Sequence, residues 1–162
     1  MILGLLKEHG DETRVALLPD NVQQLVNQHV EVLVESGAGN LAFVSDNDYI
    51  SAGAKIVDRK TVFEKSSILL QIQVPLAEDV KKIQPSQVWI SAFNPLWETA
   101  LVKTFQEKQI TTFSLDSIPR STRAQAMDIL SSQATVTGYK AVLDAALISP
   151  TFFPMFMTAA GT

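Results

Sequence analysis

The sequence predicts an α/β fold: a doubly wound, mainly parallel sheet of roughly six strands. Three observations carry this. Short apolar runs alternate along the chain with stretches of helical period. Two of the runs, "SILLQIQV" (67 to 74) and "VWISAF" (88 to 93), are dense enough in apolar residues to be strands covered on both faces. And 162 residues, 46% of them hydrophobic, suffice for one sizeable core.

The elements follow in order. Ile2 to Leu6 is the first strand. Asp20-x-x-Gln23 has the form of a capping box, and Val22, Leu25 and Val26 give the helix behind it one apolar face. Val30 to Val34 is a strand, Asp46 to Ala52 a short helix capped by Ser45 or Asp46, and Lys55 to Val57 a strand. Ala77 to Ile83 reads as a short helix between the two dense apolar strands. Leu96 to Lys108 is a helix with Leu96, Ala100, Leu101 and Phe105 facing inward, and Ile110 to Ser114 is the last strand. Pro119 breaks that strand. Thr122-x-x-Gln125 then resembles a second capping box, opening a helix that runs to Ala146 through Gly138, about twice the usual length. A helix this long suits a crossing between domains. There is no internal repeat and no low-complexity segment.

Composition narrows the function. A net charge of -4 leaves no basic field for a nucleic-acid partner. Cysteine is absent, which excludes disulfides and thiolate metal sites. "MILGLLKEHGDE" is unlike a secretion signal, and no apolar run reaches the length of a membrane span, so a soluble, cytoplasmic protein is expected. His9 and His29 stand in no ligand pattern, and no metal site is expected.

One motif invites a nucleotide. "VEVLVESGAGNLA" (30 to 42) is a strand followed by G-x-G-x-x-A, with an acidic residue, Asp58, about 20 positions on. In the dinucleotide fingerprint the glycine turn leads straight into a helix whose free N–H groups hold the pyrophosphate. Here "NLAFVSDNDY" follows Gly39 with no helical period until Ser45 or Asp46. The expected reading is a tight strand exit that needs glycine backbone angles.

A second segment, "DSIPRSTRAQAMDILSSQATVTGYKAVLDAA" (116 to 146), carries more chemistry. On one helix Gln125, Asp128 and Ser132 share a face with Ser131 beside them, and Arg120 precedes them in a loop. Gln, Ser and Asp together supply the donors and acceptors a carboxamide ligand needs. A capping glutamine, a Gln–Asp surface pair and two solvated serines would give the same pattern. The residues alone leave both readings open.

The chain resembles the N-terminal part of the alanine dehydrogenase/transhydrogenase family, and within it the alpha subunit of proton-translocating NAD(P) transhydrogenase. The resemblance rests on "ETRVALLP" (12 to 19), "VESGAG" (34 to 39), "AGAKIV" (52 to 57), "DSIPRSTRAQAMDILSSQA" (116 to 134), "GYKAV" (138 to 142) and "TAAGT" (158 to 162). It implies a first Rossmann-like domain without its own dinucleotide fingerprint (1 to 118). A nicotinamide-contacting loop and interdomain helix (119 to 148) and a linker stub (149 to 162) follow, leading to a second domain that holds most of the NAD(H). NADP(H) would sit on a partner subunit. The implied nicotinamide-side residues are Arg120, Gln125, Asp128 and Ser131, with Gln125 and Asp128 in the catalytic role of orienting the ring. The implied assembly is a homodimer joined to the transhydrogenase membrane and NADP-binding subunits, peripheral to the inner membrane. This stretch alone is expected to be inactive.

The resemblance also separates the two branches. An amino-acid dehydrogenase needs proton transfer and a cation for the substrate carboxylate. Its lysine position in a K-x-K-E-P motif is Gln73 here, in "LQIQVPL", and its histidine position is Asn94 or a neighbour. Arg14 matches an arginine present in both branches and reads here as a structural ion pair to Glu8 or Glu12. Transhydrogenase fits better. The alternatives are an alanine dehydrogenase-type domain and a non-catalytic fold-mate acting in dimerisation.

Overall fold

The computed structural model describes residues 1 to 151. The "TAAGT" motif and the linker stub from residue 152 onward lie outside the described residues. The chain divides into two compact units, Met1–Ser117 and a second from Ile118 onward.

The first unit holds six parallel strands, β1 (Ile2–Leu5), β2 (Glu31–Glu35), β3 (Lys55–Val57), β4 (Ile68–Leu70), β5 (Val88–Ser91) and β6 (Thr111–Ser114). Their order is β3-β2-β1-β4-β5-β6, the doubly wound arrangement. Five helices join them: α1 (Pro19–Asn27), α2 (Asp46–Ser51), α3 (Arg59–Lys65), α4 (Ala77–Lys82) and α5 (Thr99–Glu107). Strand alternation sorts the core into two layers. Leu3, Leu5, Val32, Val34 and Leu70 meet Val22 of α1 and Tyr49 of α2 on one face. Leu69 and Trp89 meet Val62 and Phe63 of α3, Val80 of α4 and Phe105 of α5 on the other. Phe63 stacks on Trp89 at 6.4 Å between ring centres, and the buried Trp89 indole N–H donates to Ser91 Oγ at 2.8 Å.

Several elements differ from expectation, each for a local reason. Helix α1 starts at Pro19, not behind an Asp20 cap: Asn21 Oδ1 accepts the Leu18 N–H at 3.3 Å, and proline occupies the first helical position. Strand β4 ends at Leu70, because the Ile72 and Gln73 N–H groups turn away to the Glu8 carboxylate at 2.6 and 3.1 Å. Strand β5 likewise stops at Ser91. Helix α5 starts only at Thr99, because Asn94 (φ 44°) and Pro95 make a turn whose Asn94 carbonyl accepts the Trp97 and Glu98 N–H groups. Leu96 is therefore 87% exposed rather than inward-facing. Ala100 is exposed too, while Leu101 and Phe105 do face the core. Helix α3 has no counterpart in the sequence reading. Asp58 caps it, accepting the Thr61 N–H at 3.1 Å.

The second unit, taken by itself, also revises the expected helix. Ser121 O accepts the Ala124 and Gln125 N–H groups, Gln125–Met127 form one 3-10 turn, and the helix proper, α6, runs over Ile129–Ile148. Thr122 and Gln125 form no capping box. Asp128 is the N-cap.

Two glycines predict opposite outcomes. A Cβ on Gly4 would stand 2.3 Å from Ser66 Oγ and 2.6 Å from Val62 Cγ1, under α3. Gly4→Ala should cost about 1–3 kcal/mol in urea unfolding. At Gly138, inside α6, a Cβ would meet nothing within 4 Å, and Gly138→Ala should stabilise by about 0.5–1 kcal/mol.

Candidate functional site

The glycine turn after β2 opens no helix. Gly37 takes φ +73°, and its N–H donates to Asp46 Oδ1 at 2.8 Å. Gly39 has an ordinary φ of -90° but no room for a side chain: a Cβ would lie 2.8 Å from Val44 O and 2.9 Å from Tyr49 Cε2. Only a single 3-10 turn, Asn40–Ala42, follows, and α2 begins later behind Ser45, whose hydroxyl and Asp48 cap each other's backbone. Asp58, the acidic residue of the apparent fingerprint, serves α3 as its cap. This turn therefore presents no helix start to cradle a pyrophosphate.

In a doubly wound sheet, ligands bind beyond the carboxyl ends of the strands, where the order reverses. Here that point lies between β1 and β4, and polar side chains close it. Glu8 is buried, and its carboxylate accepts the Ile72 and Gln73 N–H groups. Burial pushes its pKa up, and the two N–H groups offset this only in part. Gln73 Oε1 accepts the His9 N–H at 3.0 Å, and His9 Nε2 lies 2.9 Å from Val74 O. Behind them Arg59 reaches Glu35 and the fully buried Asp79 at 2.6 Å each, with Lys82 also on Asp79 at 2.9 Å. Burial pushes the Asp79 carboxyl up, but Arg59 and Lys82 outweigh it and hold it low. Sequence reasoning missed this network, which joins residues from β2, α3 and α4 that no spacing rule connects. Arg14 pairs with Glu12 through Nε (2.8 Å) and NH2 (2.7 Å), one of the two partners expected. No group of residues among those described is arranged to hold a metal ion.

In the second unit, the structure brings two of the four expected nicotinamide-side residues into contact. Asp128 Oδ1 accepts the Leu130 N–H (2.9 Å) and the Ser131 N–H (3.3 Å), and Asp128 Oδ2 accepts from Ser131 Oγ at 2.6 Å. Ser131 pulls the buried Asp128 carboxyl below its ordinary pKa, and the charge of Arg120 adds to the effect. Gln125, on the 3-10 turn, is exposed and makes no side-chain hydrogen bond among the described residues, so Asp128 and Ser131 do not grip it. It shares no helical face with Asp128 and Ser132, since α6 starts after it. The signal that could have placed the cap was Asp128 directly before the apolar Ile129–Leu130 pair.

These features define a Rossmann-like α/β domain followed by a loop and 3-10 turn with Arg120 and Gln125, and by a helix capped by Asp128 with Ser131 in its first turn. The chain matches the family described as alanine dehydrogenase/PNT, N-terminal domain, over residues 4–137, and belongs to that family. It is 35% identical over 162 residues to NAD(P) transhydrogenase subunit alpha of Haemophilus influenzae, covering 99% of this chain and 31% of that protein. The solved structure of transhydrogenase from Sinorhizobium meliloti superposes with a TM-score of 0.89 at 34% identity, over 99% of this chain and 48% of that one. L-alanine dehydrogenase superposes with a TM-score of 0.71 at 25% identity, over 76% of this chain and 34% of that one. The chain thus spans less than half the length of these relatives. No helix among the described residues is long and apolar enough to cross a membrane.

Two outcomes test the geometry. Arg14 holds the Glu12 carboxyl down to about 2, against an ordinary value of 4.5. A lowered folded-state pKa gives stability that is present above the unfolded value and lost as pH falls through the folded one. Arg14→Gln should therefore move the Glu12 titration, followed by NMR, back toward its ordinary range and weaken the fold between about pH 4.5 and neutrality. Asp128→Ala should speed amide exchange at Leu130 and Ser131 and lower the melting temperature. Gln125→Ala should change neither.

Proposed function

We propose that this chain is the N-terminal domain of the NAD(H)-binding component of a proton-translocating transhydrogenase. In the complete enzyme, hydride passes between NADH and NADP+, and partner subunits couple the transfer to proton movement. The observation that carries the choice over an amino-acid dehydrogenase is Gln73. At the position where the resemblance puts a dehydrogenase's lysine, its amide oxygen is committed to the His9 N–H at 3.0 Å. That leaves no lysine ammonium at this position to hold a substrate carboxylate or to move a proton, and direct hydride transfer needs neither service.

The nicotinamide side of the site is the Arg120–Ser131 segment. The donor set fits a carboxamide: among the described residues Gln125 keeps both N–H donors and its oxygen unclaimed, and the Ser131 hydroxyl retains its lone pairs after donating to Asp128. Asp128 is a positioning residue first. Its oxygens hold the start of α6 and the Ser131 hydroxyl, which fixes what Ser131 can present. Arg120 is exposed, and its role is to position the nicotinamide and ribose side of the nucleotide. The bound nicotinamides supply the hydride chemistry, and these side chains only bind and orient. NAD(H) is held mainly by a further domain and NADP(H) by a partner subunit. The full-length protein is a homodimer, peripheral to the inner membrane through those partners.

The test is Gln125→Asn in the full-length protein. Removing one methylene withdraws the amide by about 1.5 Å, a displacement that can cost about a hundredfold in rate. Single-turnover hydride transfer should slow by that order while NADH affinity changes little. The melting temperature should not move, because Gln125 caps nothing. An unchanged rate sinks the assignment of Gln125, and turnover of pyruvate with ammonia in place of NADP+ sinks the transhydrogenase reading.

A further inference from the structure

Phe43 is the most conspicuous side chain that the site does not use. It is 100% exposed, and it sits in the left-handed region at φ 60°, ψ 29°. The backbone there ends the Asn40–Ala42 turn, the Phe43 N–H donating to Asn40 O at 3.3 Å, but a phenylalanine side chain is uncommon in that conformation. Phe43 stands over a groove of about 560 Å³ between the N-terminal turn of α1 and α2. Leu18, Pro19 and Val44 make its apolar wall, and Asp20 and Asp48 supply its charge, with no cation in its lining. Asp48 is bonded only to its Ser45 cap, and Asp20 has no partner among the described residues. The groove therefore offers an aromatic anchor beside two carboxylates that lack counter-ions.

We propose that this groove docks a basic segment of a partner subunit, one apolar side chain packing against Phe43 and a lysine or arginine answering Asp20 and Asp48. This rests on the transhydrogenase reading, which requires partner subunits. A second copy of the chain fits worse. Two grooves facing across a two-fold axis would bring Asp20 and Asp48 of each copy against the same carboxylates of the other, in a chain whose net charge is already -4. A basic partner removes that repulsion and covers the exposed ring.

The backbone at Phe43 gives the test its discrimination. Asparagine tolerates φ 60° better than phenylalanine, so Phe43→Asn should keep or raise the melting temperature while removing the anchor. The full-length protein and this variant are titrated onto everted vesicles that carry the membrane and NADP-binding subunits but lack this chain. The variant should bind about tenfold more weakly or worse, as for a buried aromatic anchor. Asp20→Lys should slow association at low salt, with the difference fading as salt rises. If wild type binds the vesicles and restores hydride transfer, and Phe43→Asn does so with equal affinity, the docking inference alone is overturned. A fall in melting temperature with unchanged affinity overturns it by placing the cover of Phe43 within the longer chain. A wild-type dimer that dissociates on Phe43→Asn overturns it in favour of a second copy. Wild type that neither binds the vesicles nor supports transfer overturns both this inference and the function it rests on.

Discussion

Everything in the first unit depends on β1 being buried from four sides. Its neighbours are β2 and β4, both parallel to it, and helices cover both faces. Leu3 and Leu5 fill one layer. On the other, Gly4 leaves space for Val62 and Ser66 to press on the backbone, so α3 approaches closer than any side chain would allow. A strand so enclosed cannot leave backbone donors unsatisfied where it emerges. The chain answers with acidic side chains: Glu35 accepts the Lys7 N–H at 2.8 Å, and Glu8 ties down the first two N–H groups past β4's last pairing.

The same device recurs wherever a segment must start or stop. Asp46 holds the glycine turn, Asp48 and Ser45 cap α2, Asp58 caps α3, and Asp128 caps α6. Much of the acidic excess of this chain thus answers backbone N–H groups rather than cations. This bears on function, because a carboxylate committed to a helix start is a rigid reference point. Asp128 orients Ser131 for this reason, whereas Gln125, outside the helix, is oriented by nothing described in its own unit. Its side chain is free to answer whatever approaches it.

The strand order also explains why the polar groups at the switch point are quiet. Glu8, Gln73 and His9 bond to backbone groups across the ends of β1 and β4. Arg59 is shared between Glu35 and Asp79, so these polar side chains bond mainly to one another and to backbone groups.

Apolar runs and helical periods are local properties, and they were enough to determine the parallel α/β class, the approximate place of all six strands, and the failure of the glycine motif to open a helix. The resemblance carried in "PRSTRAQAMDILSS" was legible for the same reason: it is contiguous. Boundaries were less so. Asp20-x-x-Gln23 and Thr122-x-x-Gln125 both match a capping box by spacing, yet Pro19 with Asn21, and Asp128, took those roles, since a cap is decided by which backbone turns first and not by residue type alone. Leu96 is expected on the inward face with Leu101 and Phe105, yet at 3.6 residues per turn it lies about 140° and 180° from them. Only the folded chain shows that Asn94 and Pro95 draw those residues into a turn. The Arg59 network, the Glu8 bonds and the exposed Phe43 needed tertiary structure altogether, because each depends on residues far apart in sequence or on one backbone angle, and neither leaves a period to read.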